Sequence, residues 1–415
     1  MSKVEQDQLE TEDANKRNTP FSRSPLLRNK TLLAVSLSVC AAYAGVGMVG
    51  PVRVLYAQSR GASLAIIGAM ASAYLISNFL FQYPVGWLAD RWGRKQVMLI
   101  GLGVQAVLAV AYLPITDPIL FVVLRFVEGI GAAALLPPAR ALIVDMVPAE
   151  QQGEAYGIFG AFFNAGFLLG PGIGGFLATT GYATAFIGAV LFRIVAIIIV
   201  LVMIHGTTQS STRTNVQRSA ISYRALFTLP LIATYTLAFG DYLYLGFDLT
   251  LMPLWMHDHL GASVAIIGIA YVMWAIPNTI LSPIGGRLAD RTRRSWLILV
   301  FGLAQVPLYL VYGFANAAIL VVILFAVHGI VYALMQPAVD AQVAASSASN
   351  ARAQVQGVYA TVGLIGAFVG ASGFNSLYAV NFRYPMFAMG IAYGLCVLTG
   401  GVIIYLVERR RLAQG

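Results

Sequence analysis

Twelve apolar stretches run along the chain with short polar breaks between them. Their limits are 31–57, 63–87, 96–114, 118–147, 152–178, 183–204, 225–256, 263–285, 295–314, 317–345, 352–380 and 383–407. A bilayer core of about 30 Å needs about 20 apolar residues per helix. Backbone polar groups in lipid must find partners within their own segment, which a helix provides. The pattern therefore predicts an all-α integral membrane protein with twelve transmembrane helices. One break is long and polar: 205–224 holds Thr207, Arg213, Asn215, Gln217 and Arg218. It separates a six-helix bundle over 31–204 from a second over 225–407. Residues 1–30 mix basic and acidic side chains without a short apolar core and cleavage site. They read as a disordered cytoplasmic tail rather than a signal peptide, and 408–415 as a second tail.

The halves repeat each other at an offset of 200. Gly61-Ala62-Ser63-Leu64-Ala65-Ile66-Ile67-Gly68 returns as Gly261-Ala262-Ser263-Val264-Ala265-Ile266-Ile267-Gly268. Gly86-Trp87-Leu88-Ala89-Asp90-Arg91 returns as Gly286-Arg287-Leu288-Ala289-Asp290-Arg291. Asn78 matches Asn278 and Gln105 matches Gln305, while Gly129, Pro137, Gly157, Gly166 and Gly170 match Gly329, Pro337, Gly357, Gly366 and Gly370. Six helices per copy imply two parallel, pseudo-symmetric bundles related by an axis along the membrane normal. Such bundles can rock about a central site, which is alternating access.

Composition agrees. The chain is 59% apolar and 10% charged, with a mean hydropathy of +0.77. An ordinary globular chain is about 25% charged, so a soluble enzyme and a disordered chain are both excluded. The net charge of +9 would raise nucleic acid as a partner in a soluble protein. Here twenty basic residues fall in the tails, the central break and the alternate loops 88–95, 286–294 and around Arg352. The other side carries only Arg60 and Arg383, with Arg53 near a helix end. Basic loops stay cytoplasmic, so both termini are expected on the cytoplasmic side of a plasma membrane. The charge then needs no nucleic acid. Cys40 and Cys396 lie in apolar runs near opposite ends of the chain, which suits neither a disulfide framework nor a metal site. No catalytic constellation or cofactor motif is present, so an enzyme is not expected.

Gly86-Trp87-Leu88-Ala89-Asp90-Arg91-Trp92-Gly93-Arg94-Lys95 follows the second span. It resembles the signature G-x-L-a-D-r-x-G-r-k of the major facilitator superfamily. The second copy is degraded, with Arg293 in place of the glycine and Ser295 in place of the lysine. The resemblance implies a gate latch. Asp90 would dock on the start of span 11, near Ser349-Asn350-Ala351-Arg352, where a helix N-terminus favours a carboxylate. Arg91 and Arg94 would pair with Asp145. Asp290 and Arg291 would repeat this opposite Pro148-Ala149-Glu150. Span 5 carries Gly166, Gly170, Pro171, Gly174 and Gly175, similar to the G-x-x-x-G-P-x-x-G-G motif of the family's drug/proton antiporters. Glycines four apart also allow close helix packing by themselves. Arg125-Phe126-Val127-Glu128-Gly129 resembles the R-x-x-q-G motif, in which the arginine is linked to proton transfer. Arg125 and Glu128 are three apart and share a helix face.

The resemblance places spans 1, 4, 7 and 10 around the cavity. Nearly all intramembrane charges fall there independently: Arg53, Arg125, Glu128, Asp241, Asp248, His328 and Asp340. Ionisable residues within a bilayer are costly and mark transport pathways. Asp241 lies near mid-membrane and is the first choice for proton coupling, followed by Glu128 with Arg125. Arg53, Tyr242, Asp248, His328 and Gln336 are expected to line the substrate cavity; alternatively, Asp248 holds an outer gate, with Arg53. Aromatic residues on span 7 add apolar wall, and Trp255 is assigned to the interfacial belt. Arg193, halfway along span 6, has no role in this scheme.

A proton-coupled exporter of small amphipathic molecules is the leading expectation, as a monomer without cofactor or metal. A lipid or lysolipid flippase, or a uniporter or importer of a polar solute, are the alternatives.

Overall fold

A computed structural model of the chain describes residues 25–148, 151–204, 226–347 and 351–414. Among them there are helices and no strands. Helix 1 is Lys30–Ser59, helix 2 Leu64–Trp92 and helix 3 Arg94–Ala111. Helix 4 comes in two segments, Pro118–Ala133 and Leu136–Met146. Helix 5 is Gln152–Leu177, helix 6 Tyr182–Met203, helix 7 Leu229–Leu260 and helix 8 Val264–Arg291. Helix 9 is Arg294–Phe314 and helix 10 Ala318–Ser346. Helix 11 is Arg352–Ser372 with the short Asn375–Val380, and helix 12 is Tyr384–Gln414. Eleven are long and apolar enough to cross a membrane. The exception, helix 7, is 32 residues long and carries Asp241 and Asp248. Most of the expected tail and all of the expected 205–224 linker lie outside the described residues.

Several boundaries differ from the pattern along the chain, and those of helices 2 and 4 have a local reason. Helix 2 continues to Trp92 rather than 87. The signature segment is thus the helix end itself, followed by a turn at Gly93 with φ +98°, a value that glycine adopts without a Cβ clash. Helix 4 breaks at Ala134-Leu135, just before Pro137-Pro138, where proline removes a donor and disfavours a helical predecessor. Helix 11 breaks at Gly373-Phe374.

The repeat is visible in detail. Ser63 and Ser263 both cap their helices, accepting from Ile66 N at 3.3 Å and Ile266 N at 3.4 Å. Within each half the packing is the same: helix 1 on helices 5 and 6, 2 on 4, 3 on 6; then 7 on 11 and 12, 8 on 10, 9 on 12. The outer faces also match. Leu191, Val195 and Val202 on helix 6 are exposed, as are Ile391, Leu395 and Val402 on helix 12. Apolar side chains so placed suit lipid, not water.

Between the halves, helix 5 meets helix 8 and helix 2 meets helix 11, pairs that exchange under the pseudo-two-fold. These seams are closed at the end of the bundle that carries the loops after helices 1 and 7, called the far end. There Asn375 Nδ2 donates to Leu64 O at 2.7 Å, Ser72 and Ser372 hydroxyls lie 2.9 Å apart, and Gln58 Nε2 donates to Asp258 Oδ2 at 2.7 Å. The opposite end, with the Gly93 turn, is the basic end. Glycines on all four seam helices face open space there: a Cβ at Gly86, Gly157, Gly286 or Gly357 would meet no atom within 4 Å. The bundles are therefore splayed at the basic end and joined at the far end.

Candidate functional site

A cavity of about 320 Å³ lies between the halves, mostly against the second one. Helix 7 contributes Asp241, Tyr242, Tyr244 and Asp248; helix 8 contributes Tyr271 and Trp274. Helix 10 adds Tyr332, Gln336 and Asp340, and helix 5 closes the front with Phe167 and Pro171. Asp241 and Asp248 reach one cavity because seven residues are nearly two helical turns. Tyr332, Gln336 and Asp340 do so because residues four apart stack along a helix face. Tyr332 O–H donates to Asp241 Oδ2 at 3.0 Å, and Gln336 Nε2 donates to Asp340 Oδ1 at 3.1 Å. Tyr271 O–H donates to the Asp248 backbone carbonyl at 2.8 Å. Asp248 itself is 6% exposed, and its Oδ1 accepts no hydrogen bond. Among the described residues no lysine or arginine lines this cavity. The arrangement is an aromatic box with carboxylates on one wall.

Of the expected cavity residues, Tyr242, Asp248 and Gln336 stand at its wall together with Asp241. His328 and Arg53 do not. His328 is 0% exposed and turned toward helix 9, with Nε2 2.9 Å from Gln305 Oε1 and its ring packed against Tyr244 and Tyr309. A buried imidazole takes its partner where one is offered, and Gln305 offers it behind the wall. Arg53 is neither at the lipid surface nor beside Asp248. Its Nη2 donates to Glu128 Oε1 at 2.9 Å, inside the first bundle. Glu128 also accepts from Arg125 Nη1 at 3.0 Å and from Tyr112 O–H at 3.2 Å. The Arg125 guanidinium lies 4.1 Å from the centre of the Tyr74 ring, a favourable place for a cation. Arg193 is 1% exposed and points into the bundle, donating to Ala189 O at 3.2 Å. Trp255 also departs from expectation: it is 0% exposed, so it belongs to the core and not to the interfacial belt.

Tyr332, Trp274 and Tyr271 were not foreseen in the sequence. Tyr332 had a usable signal, since it lies one turn before Gln336 on the same face. Trp274 had another: it is the repeat mate of Tyr74, and each ring lies against a polar side chain, Arg125 for Tyr74 and Tyr332 for Trp274.

At the basic end, Arg94 contacts Asp145 and the Ala141 carbonyl. Its mate Arg294 donates to Ala341 O at 3.2 Å, the same position 200 residues on. Arg91 lies over the Trp87 ring at 4.4 Å. Asp90, Asp290 and Arg291 are exposed. The expected partners at 349–350 and 149–150 lie outside the described residues. The glycine motif of helix 5 packs on two neighbours. Gly166, Gly170 and Gly174 lie against Cys40, Ala44 and Met48 of helix 1. Gly175 and the Pro171 carbonyl meet Gly268 of helix 8. Close backbone approach is what glycines four apart permit.

Two pseudo-symmetric six-helix bundles around a cavity open at one end define a membrane transporter. The chain belongs to the Major Facilitator Superfamily, whose family model matches residues 35–251 and again 244–414. Quinolone resistance protein NorA of Staphylococcus aureus is 26% identical over 397 residues, covering 93% of this chain and 98% of the relative. Multidrug resistance protein 2 of Bacillus subtilis (strain 168) is 23% identical over 388 residues, covering 89% and 95%. Among solved structures, a bacterial homolog of the human lysosomal transporter Spinster, in an inward-facing and occupied conformation, superposes with a TM-score of 0.71 at 18% identity, covering 93% of this chain and 98% of that one. A D-xylose-proton symporter superposes with a TM-score of 0.71 at 15% identity, covering 89% and 96%.

Proposed function

We propose that the protein exports small amphipathic molecules in exchange for protons, by alternating access, as a monomer in the plasma membrane with both termini cytoplasmic. The observation that carries this reading is the aromatic cavity with Asp241 on its wall and an opening toward the basic end. Basic loops mark the cytoplasmic side, so the cavity as described takes its cargo from the cytoplasm. Similarity to NorA over nearly the whole chain supports efflux over import. Asp241 exchanges a proton for the cargo, and the Arg53–Glu128–Arg125 cluster couples helices 1 and 4. A lipid-flipping reading would need Arg53 to meet a headgroup phosphate, and Arg53 is instead buried on Glu128.

The test is transport of a fluorescent amphipathic dye in proteoliposomes under an imposed proton gradient. Gradient-driven dye movement is expected, and Asp241→Asn abolishes the response to the gradient. Dye movement that ignores the gradient, or persists unchanged in Asp241→Asn, overturns the antiport reading.

A further inference from the structure

Resting on the cavity reading above, we propose that the preferred cargo carries two cationic heads about 10 Å apart, one seated on Asp248 and one on Asp241. Seven residues of continuous helix separate the two carboxylates. At a rise of about 1.5 Å per residue their backbones are about 10 Å apart on one face. Asp248 is the deeper, nearer the closed far end, and Asp241 is nearer the opening. Both belong to a single cavity.

The charge balance of that cavity is one-sided. Asp241, Asp248 and Asp340 line it, and among the described residues no basic side chain lines it with them. The first bundle differs, for there Glu128 is met by two arginines. A buried carboxylate with no cation beside it is unfavourable, and Asp248 is 6% exposed in a cavity whose lining holds no lysine or arginine among the described residues. A cationic head placed beside it supplies the missing counter-charge. Around it stand Tyr244, Tyr271, Trp274 and Phe325, whose ring faces attract a cation, most strongly an alkylated ammonium.

One inorganic ion cannot serve both acids. Oxygen ligands of a metal cation lie within about 2.6 Å of it, and carboxylates two turns apart do not converge to that distance. Two separate cargo molecules do not fit well either, because about 320 Å³ lies at the small end of drug-sized sites. One elongated molecule with a charge near each end, and an apolar spacer beside Leu245 and Tyr332, meets both acids and both walls.

The test is calorimetric titration of the purified full-length protein with bis(trimethylammonium)alkanes of short, middle and long spacers, against decyltrimethylammonium as the one-headed probe. Affinity should peak at the middle spacer with one molecule per protein, about ten-fold tighter than the one-headed probe. In Asp248→Asn that ratio should fall to about one. The spacer series on the unaltered protein stands even if this variant fails to fold. Affinity that only rises with the number of methylenes, a one-headed probe that binds as tightly, two one-headed molecules per protein, or a ratio that survives Asp248→Asn overturns the proposal. Calorimetry needs no gradient. A protein that selects the two-headed probe but does not exchange it for protons would therefore refute the antiport reading and leave this one intact.

Discussion

Glu128 holds two guanidiniums and a phenol in a place where lipid offers no partner. Breaking a buried ion pair by removing one member leaves the other charge uncompensated, at about 3–5 kcal/mol. Glu128→Gln should therefore lower stability by about that amount, read as a fall in melting temperature of the purified protein. The double variant Arg53→Met with Glu128→Leu should lose less, because it leaves two guanidiniums without a carboxylate, Arg125 beside Tyr74 and Arg193, rather than three. A double variant as unstable as the single one would contradict the ion-pair account. The Arg125–Glu128 contact was legible in the sequence, since a spacing of three fixes it on any helix. The Arg53–Glu128 contact was not, because 75 residues separate the partners and only the packing of helix 1 beside helix 4 joins them. His328 shows the same limit. Its helix was foreseen, but the side it faces depends on where helix 9 lies.

Helix 5 shows what a glycine stripe does at the level of one element. Three glycines at spacing four let it lie against helix 1 so closely that added carbons would strike backbone at Cys40, Ala44 and Met48. Overpacking of this kind typically costs about 1–3 kcal/mol. Gly170→Ala should lower the melting temperature accordingly. Gly160→Ala on the same helix has nothing within 4 Å and should not. Equal melting temperatures for the two variants would show that helix 5 has room to move away. The stripe was readable from spacing alone, but its division between helices 1 and 8 was not. That division follows from the rotation of helix 5 about its own axis, which the whole packing sets.

Across the whole molecule, the open glycines at the basic end mark the surfaces that must meet when the bundles rock. Gly86 and Gly357 lie on helices 2 and 11, Gly157 and Gly286 on helices 5 and 8. A bulky side chain there has space in the present conformation and would obstruct closure. Gly157→Trp should leave the melting temperature unchanged and slow gradient-driven exchange at least about ten-fold, an added barrier of about 1.4 kcal/mol. Normal exchange in that variant would mean that closure does not bring helices 5 and 8 together at this level.

The sequence by itself determined the number of spans, the repeat at 200, the division into halves and the sidedness of charge. Each of these is set by local hydropathy or by residues a few positions apart, and lipid enforces them segment by segment. The tertiary structure alone decided which acid meets which base, that His328 and Arg53 stand behind the cavity wall, and that Tyr332 and Trp274 stand at it. Those outcomes depend on the rotation and neighbours of each helix. Helices that are apolar nearly all round carry little amphipathic pattern from which to read that rotation.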